Sequence, residues 1–197
     1  MLGPLFLLGS DSAEETGEWG EHRINVLLSK LTVDHPNRFL FKDIYIECDG
    51  YVYQIDHIFL CEKGIFVIET KTMNGTIFAD PANEYWSIDV LSNNARTFYN
   101  PIMQNASHVK AIKNLVGDDL DVQSVVVFAN KNKPVGCPSN VINRPELSNY
   151  ILSYNSSNPP KEEDILFVKK ALEDVKENRN ELIAKHKAQL KKYKYLR

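Results

Sequence analysis

The side chains best suited to chemistry are Asp56, Glu69 and Lys71, within YVYQIDHIFLCEKGIFVIETKT at residues 51–72. A carboxylate, then a second carboxylate two residues before a lysine, is an unusual load for a run that is otherwise apolar. Burying an ion is costly unless it is paired or bound to a metal, so charges placed here mark a site. Two carboxylates on neighbouring strands supply hard oxygen donors, which suit Mg²⁺ or Mn²⁺ far better than Zn²⁺. An ion held there would polarise a phosphoryl oxygen and lower the pKa of a bound water, while a lysine beside it orients that water or stabilises charge on the phosphate. The spacing suits metal-assisted hydrolysis of a phosphodiester. A buried ion pair between Lys71 and one acid, closing a sheet edge, is the alternative that these three residues leave open.

The elements that must position them read as two strands, residues 51–61 and 65–72, joined by a turn at Lys63-Gly64. Alternation puts Glu69 and Lys71 on one face, and Gln54 with Asp56 on one face. With a two-residue turn, Glu62 faces Ile65, Ile58 faces Glu69 and Asp56 faces Lys71. Asp56 and Glu69 are then diagonal neighbours about 7 Å apart, close enough for one ion between them. A turn one residue longer would send Asp56 to the other face, so the register carries the argument.

Around this hairpin the pattern alternates between helix and strand. Residues 17–31 place Trp19, Ile24, Leu27, Leu28 and Leu31 at helical spacing, after a polar DSAEET in which Ser12 or Thr16 could cap. Residues 39–48 end in a strand, and Asp49-Gly50 signals a tight hairpin into the next. Short strands are expected at 76–79 and 85–90, with a loop at 93–100. Asn100-Pro101 opens a helix to Val116, whose stripe is Ile102, Ala106, Val109, Ile112 and Val116. Residues 122–129 form an apolar interior strand. A loop-rich stretch with a short helix near 145–150 follows, then one long helix over 161–193 that leaves the core beyond Ile183.

Composition excludes several classes. A net charge of −3 hides a polarity: residues 1–22 carry five acids and no Lys or Arg, while residues 185–197 carry six bases and no acid. This is not a uniformly basic nucleic-acid binder, although the basic tail is weak support for a polyanionic partner. Cys48, Cys61 and Cys137 are odd in number and show no metal-binding spacing, which fits free thiols in a reducing, cytoplasmic compartment. The apolar MLGPLFLL at the start is too short to span a bilayer and lacks the basic region of a secretory signal, so no membrane role is expected. No Ser/His/Asp order, P-loop or Rossmann fingerprint is present.

Several motifs in a fixed order go further: GEWGE at 17–21, QIDH at 54–57, GIFVIETKTMNG at 64–75, Trp86, NPIMQ at 100–104 and VVVF at 125–128. In these the chain resembles the nuclease-related domain (NERD) family, a branch of the PD-(D/E)XK phosphodiesterase superfamily. The resemblance implies an α/β (α+β) fold with a restriction-endonuclease-like αβββαβ core, its central mixed sheet flanked by helices. Residues 17–158 would form that domain, between an extension at 1–16 and a long C-terminal helix with a basic tail at 159–197. Carried over, Asp56 and Glu69 are the main metal ligands, the Thr70 carbonyl a third and Glu21 the acid completing the metal site. Lys71 is the catalytic lysine, and Gln104 supports it or a phosphate. Ile55 stands where the superfamily's name has proline. His57 and Trp86 read as structural, and His108 stays open.

The expectation is a Mg²⁺- or Mn²⁺-dependent nuclease acting on DNA in preference to RNA. Its rivals are a nucleic-acid-binding module that no longer cuts, and an interaction platform whose C-terminal helix holds a second copy or a partner protein.

Overall fold

The computed structural model describes residues 11–89, 96–130 and 133–195. The apolar start of the chain lies outside them. Helix α1 (Asp11–Thr32) leads into the hairpins β1 (Phe39–Cys48), β2 (Tyr51–Cys61) and β3 (Gly64–Lys71). A small sheet follows, β4 (Ile77–Phe78), β5 (Tyr85–Ile88) and β6 (Arg96–Tyr99), then α2 (Pro101–Val116) and β7 (Val122–Phe128). The chain ends with β8 (Val141–Asn143), α3 (Leu147–Ser153), α4 (Glu162–Glu177) and α5 (Arg179–Tyr195). The main sheet runs β1-β2-β3-β7-β8. Its first three strands are antiparallel, and β3, β7 and β8 are parallel. This is the mixed sheet expected of a restriction-endonuclease-like core.

Helices cover both faces because β3 and β7 are apolar on both. Ile24 and Leu28 of α1 and Leu147 and Ile151 of α3 bury Phe66, Ile68, Val125 and Val127. On the other face Ala111, Ile112 and Val116 of α2 and Ile165, Val168 and Leu172 of α4 bury Ile58, Leu60, Ile65 and Val67. Trp86, Ile77, Ile88 and Phe98 of the small sheet close over Val126 and Phe128. Asn100 locks the entry to α2: its Oδ1 accepts the Ile102 N–H at 2.9 Å, and its amide donates to the Pro81 and Asn83 carbonyls.

Four local expectations change. The segment expected as a loop before Asn100 contains β6, which pairs with β5 and buries Phe98. β8 is three residues long, too short to stand out by pattern. The helix expected over 161–193 is two, broken at Asn178, and the second does not leave the core. It lies back across β1 and β2, with His186 buried and its Nδ1 2.7 Å from the Val52 carbonyl. The core stripe of α2 is rotated: Asn105 and His108 face the core with Ala111 and Ile112, while Ala106 is exposed. Asn105 is tolerated there because its amide nitrogen donates to the Val67 and Val125 carbonyls and to Ser124 Oγ.

Candidate active site

The register of β2 against β3 differs from the expected one by two residues. Cys61 pairs with Gly64 and His57 with Ile68, so the turn is Glu62-Lys63 rather than Lys63-Gly64. Gly64 belongs to the strand, where its φ of 148° is open to glycine and strained for other residues. A shift of two keeps every side chain on its face. It moves Asp56 from opposite Lys71 to opposite Glu69.

Asp56 also sits where the sheet is dislocated. Ile55 and Ile58 share one core cluster, as do Phe41 and Ile44 facing them, although residues three apart on a regular strand point to opposite faces. The interruption is at Asp43, whose φ is 53°, opposite Asp56. Beyond His57 and Ile68 the β2–β3 ladder ends, while β3 stays paired with β7 as far as Lys71. The next donor on the freed side, the Thr70 N–H, is taken by Asp56 Oδ2 at 2.7 Å. The carboxylate thus replaces a strand partner at the point where two strands part.

The other residues converge there from both faces. Lys71 Nζ lies 2.7 Å from Glu69 Oε1 and donates to Gln104 Oε1 at 3.0 Å, so α2 and β3 fix the ammonium between them. Glu69 is almost wholly buried, and its Oε2 has no hydrogen-bond partner. His108 Nδ1 stands 3.5 Å from that oxygen, outside hydrogen-bond geometry. Glu21 arrives from α1 on the opposite face. Its approach depends on Gly20, since a Cβ there would collide with the Thr72 side chain and sit 3.2 Å from the Ala129 Cβ.

The charges are out of balance. Burial, then Glu69, Asp43 and Glu18, push the Glu21 carboxyl up to about 7. Burial, then Glu69 and Glu21, raise Asp56 well above the usual carboxylate range, against the pull of the Thr70 N–H and Lys71. Burial alone would lower Lys71, but Glu69, Asp56 and Glu21 outweigh it and hold the ammonium charged. His108 is pushed down to about 4, chiefly by burial, and stays neutral at pH 7. His57, buried and away from these contacts, is also lowered to about 4 by burial and Lys42. One ammonium faces three carboxylates.

Such a donor set has room in charge for a further cation. Among the described residues no three His, Cys, Asp or Glu side chains form a ready-made metal cluster. A cation here would take two strand carboxylates, use the unsatisfied Glu69 Oε2, and complete its shell with water. Mg²⁺ binds in that way.

Sequence reasoning passed over Asp43. Its carboxylate pairs with Arg179 at the start of α5, accepts from Gln54 Nε2 at 2.9 Å, and raises Glu21. The one available signal was Lys42-Asp43, a charged pair interrupting an apolar strand. Trp19, expected in the core stripe of α1, is instead exposed, with the Arg23 guanidinium 4.2 Å from its ring centre.

A mixed sheet carrying Asp and Glu-x-Lys where two strands separate, flanked by an acid and a glutamine from helices, defines a nuclease-like fold of the PD-(D/E)XK type. The chain belongs to the nuclease-related domain (NERD) family, whose model matches residues 16–129. It is also similar to an uncharacterized protein of Bacillus anthracis, 31% identical over 140 residues. That alignment covers 71% of this chain and 62% of the relative, so the chain spans less than two thirds of the relative's length. No solved structure matches. α4 and α5 lie beyond residues 16–129. Among the described residues no helix is long and apolar enough to cross a membrane.

Proposed function

We propose that this domain is a divalent-cation-dependent nuclease that hydrolyses phosphodiester bonds, with DNA as its principal substrate. The carrying observation is the junction of Asp56, Glu69 and Lys71 where β2 and β3 part, with Gln104 on the lysine. Asp56, Glu69 and the Thr70 carbonyl would hold Mg²⁺ or Mn²⁺, with Glu21 adding its charge from α1. When bound, the cation supplies Lewis acidity toward a phosphoryl oxygen and a water of lowered pKa.

The chain's own residues do the rest. Gln104 and Glu69 fix Lys71 Nζ in place, so the ammonium is preorganised to orient the attacking water and to meet negative charge growing on the phosphate. Burial excludes bulk solvent from the Glu69–Lys71–His108 side, which strengthens each of these interactions. His108, neutral and packed edge-on against Tyr53 at 6.0 Å between ring centres, gives Glu69 Oε2 no charged partner of its own and so leaves that oxygen for the cation. The three free thiols suit a cytoplasmic setting for this chemistry.

The test is cleavage of linear, circular and single-stranded DNA, with an RNA control, in Mg²⁺, Mn²⁺ or chelator. Cutting should need the cation and vanish in Lys71→Ala and Asp56→Ala while both variants stay folded. Undiminished cutting by both would sink the assignment.

A further inference from the structure

The parallel strands β3, β7 and β8 all end at the same edge of the molecule. Lys71 pairs with Phe128 and Phe128 with Asn143, so these three residues form one row across the sheet. At the usual inter-strand spacing of about 4.8 Å, Asn143 lies roughly 10 Å from Lys71. Arg144 is the next residue.

α1 crosses this edge, with Gly20 seated against Thr72 and Ala129, each one residue past the row. Its two flanks differ. Glu21 lies toward Glu69 and Asp43, with Glu18 near it on the same helix. Trp19 and Arg23, one helical turn apart, lie on the other flank, toward Arg144. The hydrophobic contacts of Ile24 and Leu28 with Leu147 and Ile151 tie α1 to α3 and hold that flank beside the turn carrying Arg144.

This flank is built unlike a solvated helix face. Trp19 is 54% exposed, and a single guanidinium covers one side of its indole. Arg23 and Arg144 approach closely enough for their charges to oppose each other, and neither has a carboxylate partner among the described residues. By contrast, Lys133 and Glu146 nearby are paired. Two unneutralised guanidiniums beside an open indole face offer phosphate contacts and a base-stacking platform.

We propose that Trp19, Arg23 and Arg144 form a docking patch for a single-stranded segment of the nucleic acid leading into the Asp56–Glu69–Lys71 site. A base stacks on the open face of Trp19, and neighbouring phosphates lie on the two guanidiniums. The patch rests on the nuclease reading for its purpose but not for its binding. Asn143, the residue before Arg144, stands roughly 10 Å from Lys71, which corresponds to about three stacked nucleotides at 3.4 Å each. Single strands are favoured because a paired base has no free face to give Trp19.

Trp86, the second tryptophan, is 1% exposed, so quenching by ligand reports Trp19. Oligothymidylate titrated into the full chain in chelator, where no cutting occurs, should quench fluorescence saturably, and a duplex of equal length should not. Trp19→Leu, which removes that reporter and is therefore read by the anisotropy of a labelled oligothymidylate, should weaken binding by about 5- to 150-fold, the range for one stacked base. The Arg23→Gln/Arg144→Gln variant should flatten the slope of log K against log salt by about 1.4, two single-strand phosphate contacts. Equal quenching by duplex, or variants that bind like the parent, would overturn the patch even if the protein cuts DNA. Trp19-dependent binding by a protein that never cuts would uphold the patch and remove only the nuclease reading.

Discussion

Gly20→Ala probes how α1 delivers Glu21. A Cβ at position 20 would stand 3.0 Å from the Thr72 Cβ and 3.2 Å from the Ala129 Cβ, and would overlap Thr72 Oγ1. Relaxed carbon contacts begin near about 3.5 Å, so even with Thr72 turned aside the helix must retreat by about half an ångström. Overpacking of this kind costs about 1–3 kcal/mol. Replacing a mid-helix glycine by alanine returns about 1 kcal/mol of helix propensity, so the net loss of stability is small. Catalysis should suffer more. Glu21 is the next residue and moves with the helix, and misplacement by about 1 Å near a site can cost about a hundredfold. The variant should melt within a few degrees of the parent and cut about ten- to a hundredfold more slowly. Adding Thr72→Ala, which removes the Oγ1 overlap, should restore part of the rate. Thr72 Oγ1 has no hydrogen-bond partner to lose. A Gly20→Ala protein that cuts as fast as the parent would refute the reasoning.

Three further outcomes follow from the packing. Burial lowers His186 below its ordinary value, outweighing the Val52 carbonyl and Asp43. Its stabilising effect is therefore complete above the unfolded value of about 6.5 and is lost as pH falls through the folded one. Protection factors in α5, which remove the intrinsic pH dependence of amide exchange, should fall on acidification below that value and stay flat in His186→Phe; equal falls in both would reject the assignment. Removing residues 179–197 deletes the bonds of His186 and Gln189 to Val52 and Gly50. At about 0.5–1.5 kcal/mol for each of three bonds, stability should fall by about 1.5–4.5 kcal/mol, and an unchanged melting curve would contradict the docking of α5. Asn105→Ala removes a second donor from the Val67 and Val125 carbonyls and the donor to Ser124 Oγ, and should cost about 0.5–1.5 kcal/mol for each bond lost, read by urea unfolding.

Much of the fold was legible because local signals agreed with it. Asp49-Gly50 takes φ values of 52° and 77° in the first hairpin turn, and Asn100-Pro101 caps α2 as its residue types require. β3 and β7 announced themselves as interior strands by being apolar on both faces. Reasoning failed where tertiary contacts override pattern. Gly64 reads as a turn residue, yet its unusual φ is spent at the start of the strand. Asn105 and His186 look like surface residues, but buried backbone carbonyls give each a partner. The candidate triad was legible in Glu-x-Lys and the preceding Asp. The dislocation at Asp43 and Asp56 was not, because a left-handed aspartate inside a strand leaves no periodic trace.

The proposed function rests on one metal-dependent hydrolytic site formed by Asp56, Glu69 and Lys71. Incubating the purified protein with DNA in Mg²⁺, beside Lys71→Ala and a chelator control, tests it most directly. Cleavage is expected only from the unsubstituted protein with the cation present. Cleavage that persists in Lys71→Ala or in chelator would contradict it.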